Sequence, residues 1–316
     1  MKQQTSICFI FLFSFFLCHS AFASNNILPP PKQISKHVYA WIGPHGGPNV
    51  ENKGYRMNMG FVVGGNAVAV LESGFYPKMA EDMISQIKQI TDKPIKYVIN
   101  SNSQADRFFG NAAFKNIGAK IISHEKEIKR MKENTNNYMM FIESSMKFKD
   151  GSVKPPTLPD TAIKDKTKID LGDNVVLEIE AHKAAHTPSP LITYIKKDNI
   201  VYAGDILYSG RLLAVVPGGN IKQWIETFHY LKKYKSATFI PGHGDPQTLD
   251  KFNKPTLHYL QLLDNKMTTM VDEGIDMQDA INKTDQSAFA YLENFEDLAG
   301  RNANIAYQEA EAAAFE

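Results

Sequence analysis

Short β-rich runs alternate with helical segments along both halves of the chain, and this alternation is the feature that most limits its fold. Residues Gly60 to Gly74 (GFVVGGNAVAVLESG) contain two β-rich runs around Gly-Gly-Asn, which predicts a hairpin. The apolar residues after it recur at helical spacing and mark one face of a helix: Met79, Met83, Ile84, Ile87 and Ile90. Sheets that alternate with helices bury their apolar faces beneath those helices. We therefore predict a single α/β domain of two sheets with helices on the outside, because no linker-like stretch separates the halves.

The rest of the chain alternates between strand-like and helical segments in the same way. Further strands are predicted at IKYVIN (95–100), AKIISH (119–124), NVVLEIEA (174–181), LITYI (191–195), IVYAGD (200–205) and ATFIPGHGD (237–245). Residues 126–146 are predicted as one helix and residues 221–234 as an amphipathic helix. From Pro255 onward the tail is predicted to be mostly helical, with Asp276 as a helix N-cap.

Polar side chains lie where these predicted strands end. They are Asp106, His186, Asp205 and His243. Rigid scaffolds often carry binding and catalytic side chains in strand-end loops. These four residues are therefore the first candidates for a functional site.

The first residues of the chain have the pattern of a secretory signal peptide. Lys2 is followed by an apolar run, Ile7 to Cys18, which is too short to span a bilayer comfortably. Ala21, Phe22 and Ala23 then have the small-x-small pattern of a cleavage site. We predict that residues 1–23 are removed by a cut after Ala23, with an uncleaved anchor as the alternative. The mature chain, 24–316, is then expected to be periplasmic or secreted.

Charge and cysteine usage exclude several classes of protein. Lysine and arginine number 35 against 34 aspartate and glutamate, so the chain without Lys2 is formally neutral. A balance of this kind argues against nucleic-acid binding and against attachment to anionic membranes. Cys8 and Cys18 both lie in the predicted signal peptide, and the mature chain therefore has no cysteine for a disulfide or a metal site.

The order of several motifs resembles the metallo-β-lactamase superfamily. The motifs fall in sequence along nearly the whole mature chain: FVVGGNAVAVLESG, DKPIKYVIN, FFGNAAF, AHTPSPLITYI, VYAGDILYSGR and FIPGHGD. The resemblance implies an αβ/βα four-layer sandwich, in which two mixed sheets carry a metal site at one edge. The tail ENFEDLAGRNANIAYQEAE is similar to the exported quinoprotein relay system zinc metallohydrolases, which implies a link to quinoprotein pathways.

The first metal-binding motif of that superfamily, Thr-His-x-His-x-Asp-His, is degenerate in this chain. Asn102 and Gln104 stand where the first two histidines belong, and Arg107 stands where the third belongs. Neutral amides are poor zinc ligands compared with imidazole. Arginine stays protonated, so its guanidinium places a full positive charge beside any ion. The resemblance therefore implies that the first of the two metal sites is empty.

The remaining ligand positions of the motif set are retained. They are Asp106, His186, Asp205 and His243. One zinc or another divalent metal could bind these four, with Asp106 as the catalytic residue that orients a metal-activated water toward an ester, thioester or lactam-like substrate. Alternatively no metal binds, and Arg107 supplies the missing positive charge by a bidentate bond to Asp106 or Asp205.

Whether the chain is an enzyme therefore stays open at the level of sequence. The interpretation that the metal chemistry favours is a catalytically impaired or non-catalytic protein that binds a small molecule or an exported quinoprotein-pathway protein. The alternative is the mono-metal hydrolase. An intact two-zinc enzyme is disfavoured because no histidine lies near Asn102 or Gln104 in the sequence. Of the other histidines, His45 is a minor candidate for the pocket and His182 is expected at the surface.

Overall fold

The computed structural model describes residues 26–315. The predicted signal peptide, residues 1–23, lies outside the described residues. Within residues 26–315 no helix is long and apolar enough to cross a bilayer.

Seven strands form the first sheet, in the same order as in the chain. They are β1 (Lys32–Gln33), β2 (Val38–Trp41), β3 (Met59–Val63), β4 (Val68–Leu71), β5 (Ile95–Ile99), β6 (Lys120–His124) and β7 (Thr161–Ile163). Strands β1 to β4 are antiparallel, whereas β4 to β7 run parallel. The parallel part needs crossover connections, which the helical segments between these strands supply.

Five strands form the second sheet, in the order β12-β11-β10-β9-β8. They are β8 (Lys166–Asp170), β9 (Val176–Ala181), β10 (Leu191–Ile195), β11 (Ile200–Tyr208) and β12 (Thr238–His243). Strands β8 to β11 pair antiparallel, and β11 pairs parallel with β12. Both sheets are therefore mixed.

Helices occupy the outer sides of the two sheets. The α-helices are α1 (Pro77–Ile90), α2 (Ala105–Phe108), α3 (Asn111–Asn116), α4 (Glu125–Glu133), α5 (Thr135–Met146), α6 (Ile221–Tyr230), α7 (Tyr259–Asp272), α8 (Met277–Lys283) and α9 (Phe295–Ala314). Short 3₁₀ turns and one π-helical stretch, Asn253–His258, complete the helical segments.

Three clusters of buried apolar side chains hold the layers of the fold together. One cluster lies between the two sheets, and its members come from both of them: Val62, Leu71, Ile99, Leu177, Leu191 and Ile240 are among them. A second packs the first sheet against α1 and α3, and a third packs the second sheet against α6, α7 and α9. A sheet with apolar residues on both faces must be covered on both. The result confirms the predicted αβ/βα four-layer sandwich.

The structure departs from the predicted elements in a few places. The helix predicted over residues 126–146 is two helices, α4 and α5, separated at Asn134. Strands β1, β2, β7 and β8 were not predicted. β1 has exposed residues only, and β8 (KTKID) is polar and mostly exposed, so neither has the apolar signal of a buried strand. β2 (VYAW) is mostly buried but only four residues long. The N-cap at Asp276 is confirmed, because its carboxylate accepts a hydrogen bond from the Asp279 amide (3.1 Å).

Strand β11 is longer than predicted. The sequence placed Asp205 at the end of a strand, but β11 continues to Tyr208. Gly204 has a positive φ of 52°, and the pairing with β12 shifts register on both sides of it. Glycine permits this local irregularity without ending the strand. Asp205 therefore lies inside a kinked strand, not beyond it.

Candidate functional site

A cavity of about 490 Å³ opens at the edge of the two sheets. Its wall includes all four retained positions: Asp106, His186, Asp205 and His243. Gln104 also lines it. The fold thus brings together four residues that the sequence placed up to 137 positions apart, from Asp106 to His243.

The loop after β5 presents the first of these residues. The Asn102 side-chain oxygen accepts a hydrogen bond from the Gln104 amide (2.9 Å), which closes an Asx turn before α2. The Ser101 amide donates to the buried carboxyl of Glu72 (3.0 Å). Burial raises the pKa of Glu72 to about 8, so this carboxyl is protonated at pH 7. Asn102 therefore has a structural role in this turn, and α2 then holds Asp106 and Arg107.

Arg107 is fully buried and forms a bidentate ion pair with Asp205. Its Nη2 donates to Asp205 Oδ1 (2.5 Å) and its Nε donates to Asp205 Oδ2 (3.0 Å). Its Nη1 donates to the carbonyl oxygen of Asn58 (3.1 Å). Of the two aspartates that the sequence left open as partners, Asp205 accepts the bidentate bond. Asp106 lies farther away, with its Oδ1 3.6 Å from Arg107 Nε.

Asp205 has further neighbours on both oxygens. The Asn102 side-chain amide donates to Oδ2 (2.8 Å), and His243 Nε2 lies 3.5 Å from Oδ1. Burial alone would raise the pKa of Asp205, but the Arg107 charge and the hydrogen bonds outweigh it and lower the pKa. Asp205 is therefore an anion whose charge is already compensated by side chains of this protein.

The two histidines are held in the same way. Nδ1 of His186 donates to the Ala214 carbonyl (2.8 Å), and Nδ1 of His243 donates to the Arg56 carbonyl (3.0 Å). Burial lowers the pKa of both rings, and the positive charge of Arg211 lowers that of His243 further. Both imidazoles are therefore neutral at pH 7, with Nε2 as the lone-pair nitrogen.

Asp106 lies beside two arginines. Its Oδ2 is 3.5 Å from Arg56 Nε, in addition to the contact with Arg107. A catalytic role for Asp106 would require it to orient a water near a metal. In the present arrangement this carboxylate faces guanidinium groups instead.

The donor set does not fit a resident metal ion in this arrangement. Between residues 26 and 315, no three His, Cys, Asp or Glu side chains are grouped so that they could hold one. Both oxygens of Asp205 accept hydrogen bonds from Arg107, and a buried guanidinium repels a cation. The assignment of Asp106, His186, Asp205 and His243 as metal ligands therefore stays a prediction from the sequence.

Sequence reasoning missed several residues of the cavity. Arg56, Arg211 and Arg301 all line it. Arg211 ends the motif VYAGDILYSGR, so its position six residues after Asp205 was the available signal. His45 is not part of the cavity wall, whereas the nearby Gly47 and Pro48 are.

His182 is half-buried, not at the surface as expected. Its Nδ1 lies 2.9 Å from the Thr227 hydroxyl, and its ring packs on Tyr230 with centroids 4.2 Å apart. This packing against α6 covers part of the ring and keeps His182 out of the cavity wall.

Comparison with known proteins agrees with the fold. Solved structures that are similar include a metallo-beta-lactamase from Pontibacter korlensis, with a TM-score of 0.58 and 17% sequence identity over 73% of this chain and 98% of that one. The DIM-1 metallo-beta-lactamase gives a TM-score of 0.57 and 14% identity over 74% of this chain and 98% of that one. TMB-1 gives a TM-score of 0.56 and 16% sequence identity over 73% of this chain and 96% of that one. Identities this low establish a shared fold only.

The family assignment rests on sequence as well as on shape. The family model of the metallo-beta-lactamase superfamily matches residues 55–243, which is more than half of the chain. This stretch begins before β3, ends at His243 and includes the loop after β5 and strand β11. The protein belongs to the metallo-β-lactamase superfamily.

Proposed function

We propose that this protein is an exported, non-catalytic member of the superfamily, which uses the cavity to bind a small molecule or a protein partner. The observation that carries the proposal is the buried bidentate pair of Arg107 and Asp205. In the superfamily, by resemblance, the residue at the Asp205 position bridges two metal ions. Here a guanidinium occupies the side of the carboxylate where a cation would bind, and it provides the compensating charge.

The substitutions at Asn102 and Gln104 support the same proposal. Asn102 donates to Asp205 and accepts from the Gln104 amide, so both ends of its side chain are engaged in holding the loop. A ligand position that has become part of the structure no longer offers a free donor atom for zinc. Export follows from the predicted signal peptide, and the site of action would be the periplasm or the exterior.

A link to quinoprotein pathways is supported by the tail of the chain. The segment similar to the quinoprotein relay branch lies mainly in α9, and α9 contributes Asp297, Leu298 and Arg301 to the cavity wall. The resemblance therefore involves residues of the cavity and is not confined to a remote surface. The partner would be a small-molecule ligand of such a pathway or one of its exported proteins.

The test is the metal content of the mature protein, purified without chelator and measured by mass spectrometry. Thermal unfolding is followed in parallel with added zinc, manganese or iron(II). We expect substoichiometric metal and an unchanged unfolding midpoint, because a protein that binds no ion gains no stability from it. Asp205→Ala and His243→Ala serve as controls, since they remove candidate ligands.

About one equivalent of metal, lost in both control variants, would overturn the proposal. That result would favour the mono-metal hydrolase, in which one ion at Asp106, Asp205 and His243 activates water against an ester, thioester or lactam-like substrate. A substrate screen would then be the next experiment.

A further inference from the structure

Arg211 is a buried arginine that lines the cavity without a carboxylate partner. Arg211 is only 4% exposed, and its Nη1 atom is buried without a hydrogen-bond partner. Its Nε makes only a long contact with the Leu212 carbonyl (3.4 Å). No acidic side chain of residues 26–315 lies within 4 Å of its nitrogens, although such pairs exist elsewhere in the protein.

A buried guanidinium without a counter-charge is costly. Burial, and then the positive charge of Arg56, lowers the pKa of Arg211 to about 10, which is still far above neutral pH. Arg211 therefore stays charged, and the fold keeps this charge at the wall of a cavity large enough for a ligand. An anion at this position would supply the missing partner.

The charge balance of the cavity indicates how much negative charge it can accept. Four arginines lie at the cavity wall or directly behind it: Arg56, Arg107, Arg211 and Arg301. Three carboxylates line the same cavity: Asp106, Asp205 and Asp297. This count leaves one net positive charge among these side chains, which matches a monoanion.

Part of the remaining wall is apolar or aromatic. Tyr138 and Phe141 of α5 line the cavity together with Val216 and Leu298. Phe141 is 42% exposed, so part of its ring is open at the cavity. A volume of about 490 Å³ lies within the range of small-molecule sites.

We propose that the cavity binds a small monocarboxylate with an apolar or aromatic body, whose carboxylate pairs with Arg211 and whose body packs on Tyr138 and Phe141. The proposal rests on the proposed function only in taking the cavity to be a binding site. Arginine suits this role because its planar fork bonds both oxygens of a carboxylate.

The experiment compares three probes by isothermal titration calorimetry against the mature protein. They are 3-phenylpropionate, its neutral amide and phenyl phosphate. We expect the carboxylate to bind about 10- to 100-fold more tightly than the amide, the range expected for a charge-assisted hydrogen bond in a buried site. The phosphate should bind less tightly than the carboxylate, because its second charge would lack a partner.

Two variants separate Arg211 from the net charge of the protein. Arg211→Gln should abolish the preference for carboxylate over amide. Lys120→Gln removes an exposed positive charge outside the cavity wall, and its effect should be less than about threefold, since exposed charges are screened. Equal binding of carboxylate and amide, no binding of either, tighter binding of the phosphate, or a preference that survives Arg211→Gln would overturn the proposal.

The comparison of probes on the unaltered protein remains decisive if Arg211→Gln does not fold. The result is also independent of the metal measurement. A metal-free protein without carboxylate preference would retain the non-catalytic assignment and reject the ligand class. A protein that binds zinc would reject the non-catalytic assignment whatever the probes do.

Discussion

Arg107 is the side chain whose loss should affect the stability of the site most, because it compensates the buried charge of Asp205. The guanidinium is fully buried and donates three hydrogen bonds, two of them to Asp205 and one to the Asn58 carbonyl. A buried ion pair contributes little net stability relative to an apolar pair, because desolvation offsets the attraction. Removing one partner is different, since the other charge is then left buried without compensation.

The Arg107→Met variant should therefore be strongly destabilised. It keeps a long unbranched side chain but leaves the Asp205 carboxylate with only the Asn102 amide as a hydrogen-bond donor. We expect a loss of about 3–5 kcal/mol in the free energy of unfolding, measured by urea denaturation at pH 7. Adding Asp205→Asn to this variant should restore part of the loss, because the neutral amide needs no counter-charge.

The matched control is Lys115→Met, which breaks an exposed ion pair with Asp160 (2.5 Å). Exposed pairs of this kind contribute about 0–1 kcal/mol, so the control should lie close to the unaltered protein. If Arg107→Met unfolds at the same urea concentration as the control, Arg107 does not carry the charge balance of the site.

The sequence predicted some side chains of the site but not how they pair. The need for a counter-charge followed from two aspartates, Asp106 and Asp205, that were predicted to face each other in a buried pocket. Which aspartate receives the bond did not follow, because it depends on how α2 is placed against β11. Arg211 was missed for a related reason: burial without a partner is a property of the fold and leaves no pattern in the sequence.

Gly242 lets strands β11 and β12 approach each other closely at the site. Gly242 faces Asp205 so closely that an added Cβ would lie 2.2 Å from the Asp205 Oδ1 atom and 2.9 Å from its amide nitrogen. Real side chains do not make contacts of this length, so the strands or the carboxylate would have to move. Gly242 thus allows the close approach of β11 and β12 that positions Asp205 for its ion pair with Arg107.

Gly242→Ala should lower the free energy of unfolding by about 1–3 kcal/mol, the usual cost of overpacking a dense interior. Gly300→Ala is the control, because an added Cβ there meets nothing within 4 Å and lies in the interior of α9. That change should stabilise the protein by about 0.5–1 kcal/mol through better helix propensity. Thermal or urea unfolding of both variants measures the contrast, and equal stabilities would mean that β11 and β12 can shift without cost.

Elements with strong periodicity were predicted, and elements without it were not. The hairpin of β3 and β4 and the helix α1 carry runs of apolar residues at the spacing of their structure. β8 is an edge strand with alternating lysines, and its position is set by pairing with β9. Such a strand forms because it pairs with β9, and the local residue pattern of residues 166–170 carries no information about that pairing.

At the scale of the whole molecule, the site is made by the meeting of the two sheets. The loop after β5 belongs to the first sheet, whereas Asp205 and His243 belong to the second. Asn58 connects them, because its side-chain amide donates to the Pro241 carbonyl (2.9 Å) and to the Gly244 carbonyl (2.7 Å). The frame that brings Asp106, His186, Asp205 and His243 to one cavity is therefore held by contacts between the two sheets.

This frame should accept a metal if residues 102, 104 and 107 all become histidine. The variant is Asn102→His, Gln104→His and Arg107→His, which removes the buried guanidinium and releases both oxygens of Asp205. His186 and His243 already donate through Nδ1 to backbone carbonyls, so Nε2 of each is free to bind zinc. We expect about one to two equivalents of zinc by mass spectrometry and a higher unfolding midpoint in its presence.

Arg107→Met provides the control for this experiment, because it removes the positive charge without adding a ligand. If the control binds as much zinc as the triple variant, the guanidinium alone excludes the metal and the amides at 102 and 104 are incidental. If the triple variant binds none, the loop that Asn102 closes has moved beyond the reach of a shared ion. In that case the replacement of metal by arginine has changed the backbone as well as the ligands, and the site cannot be restored by side chains alone.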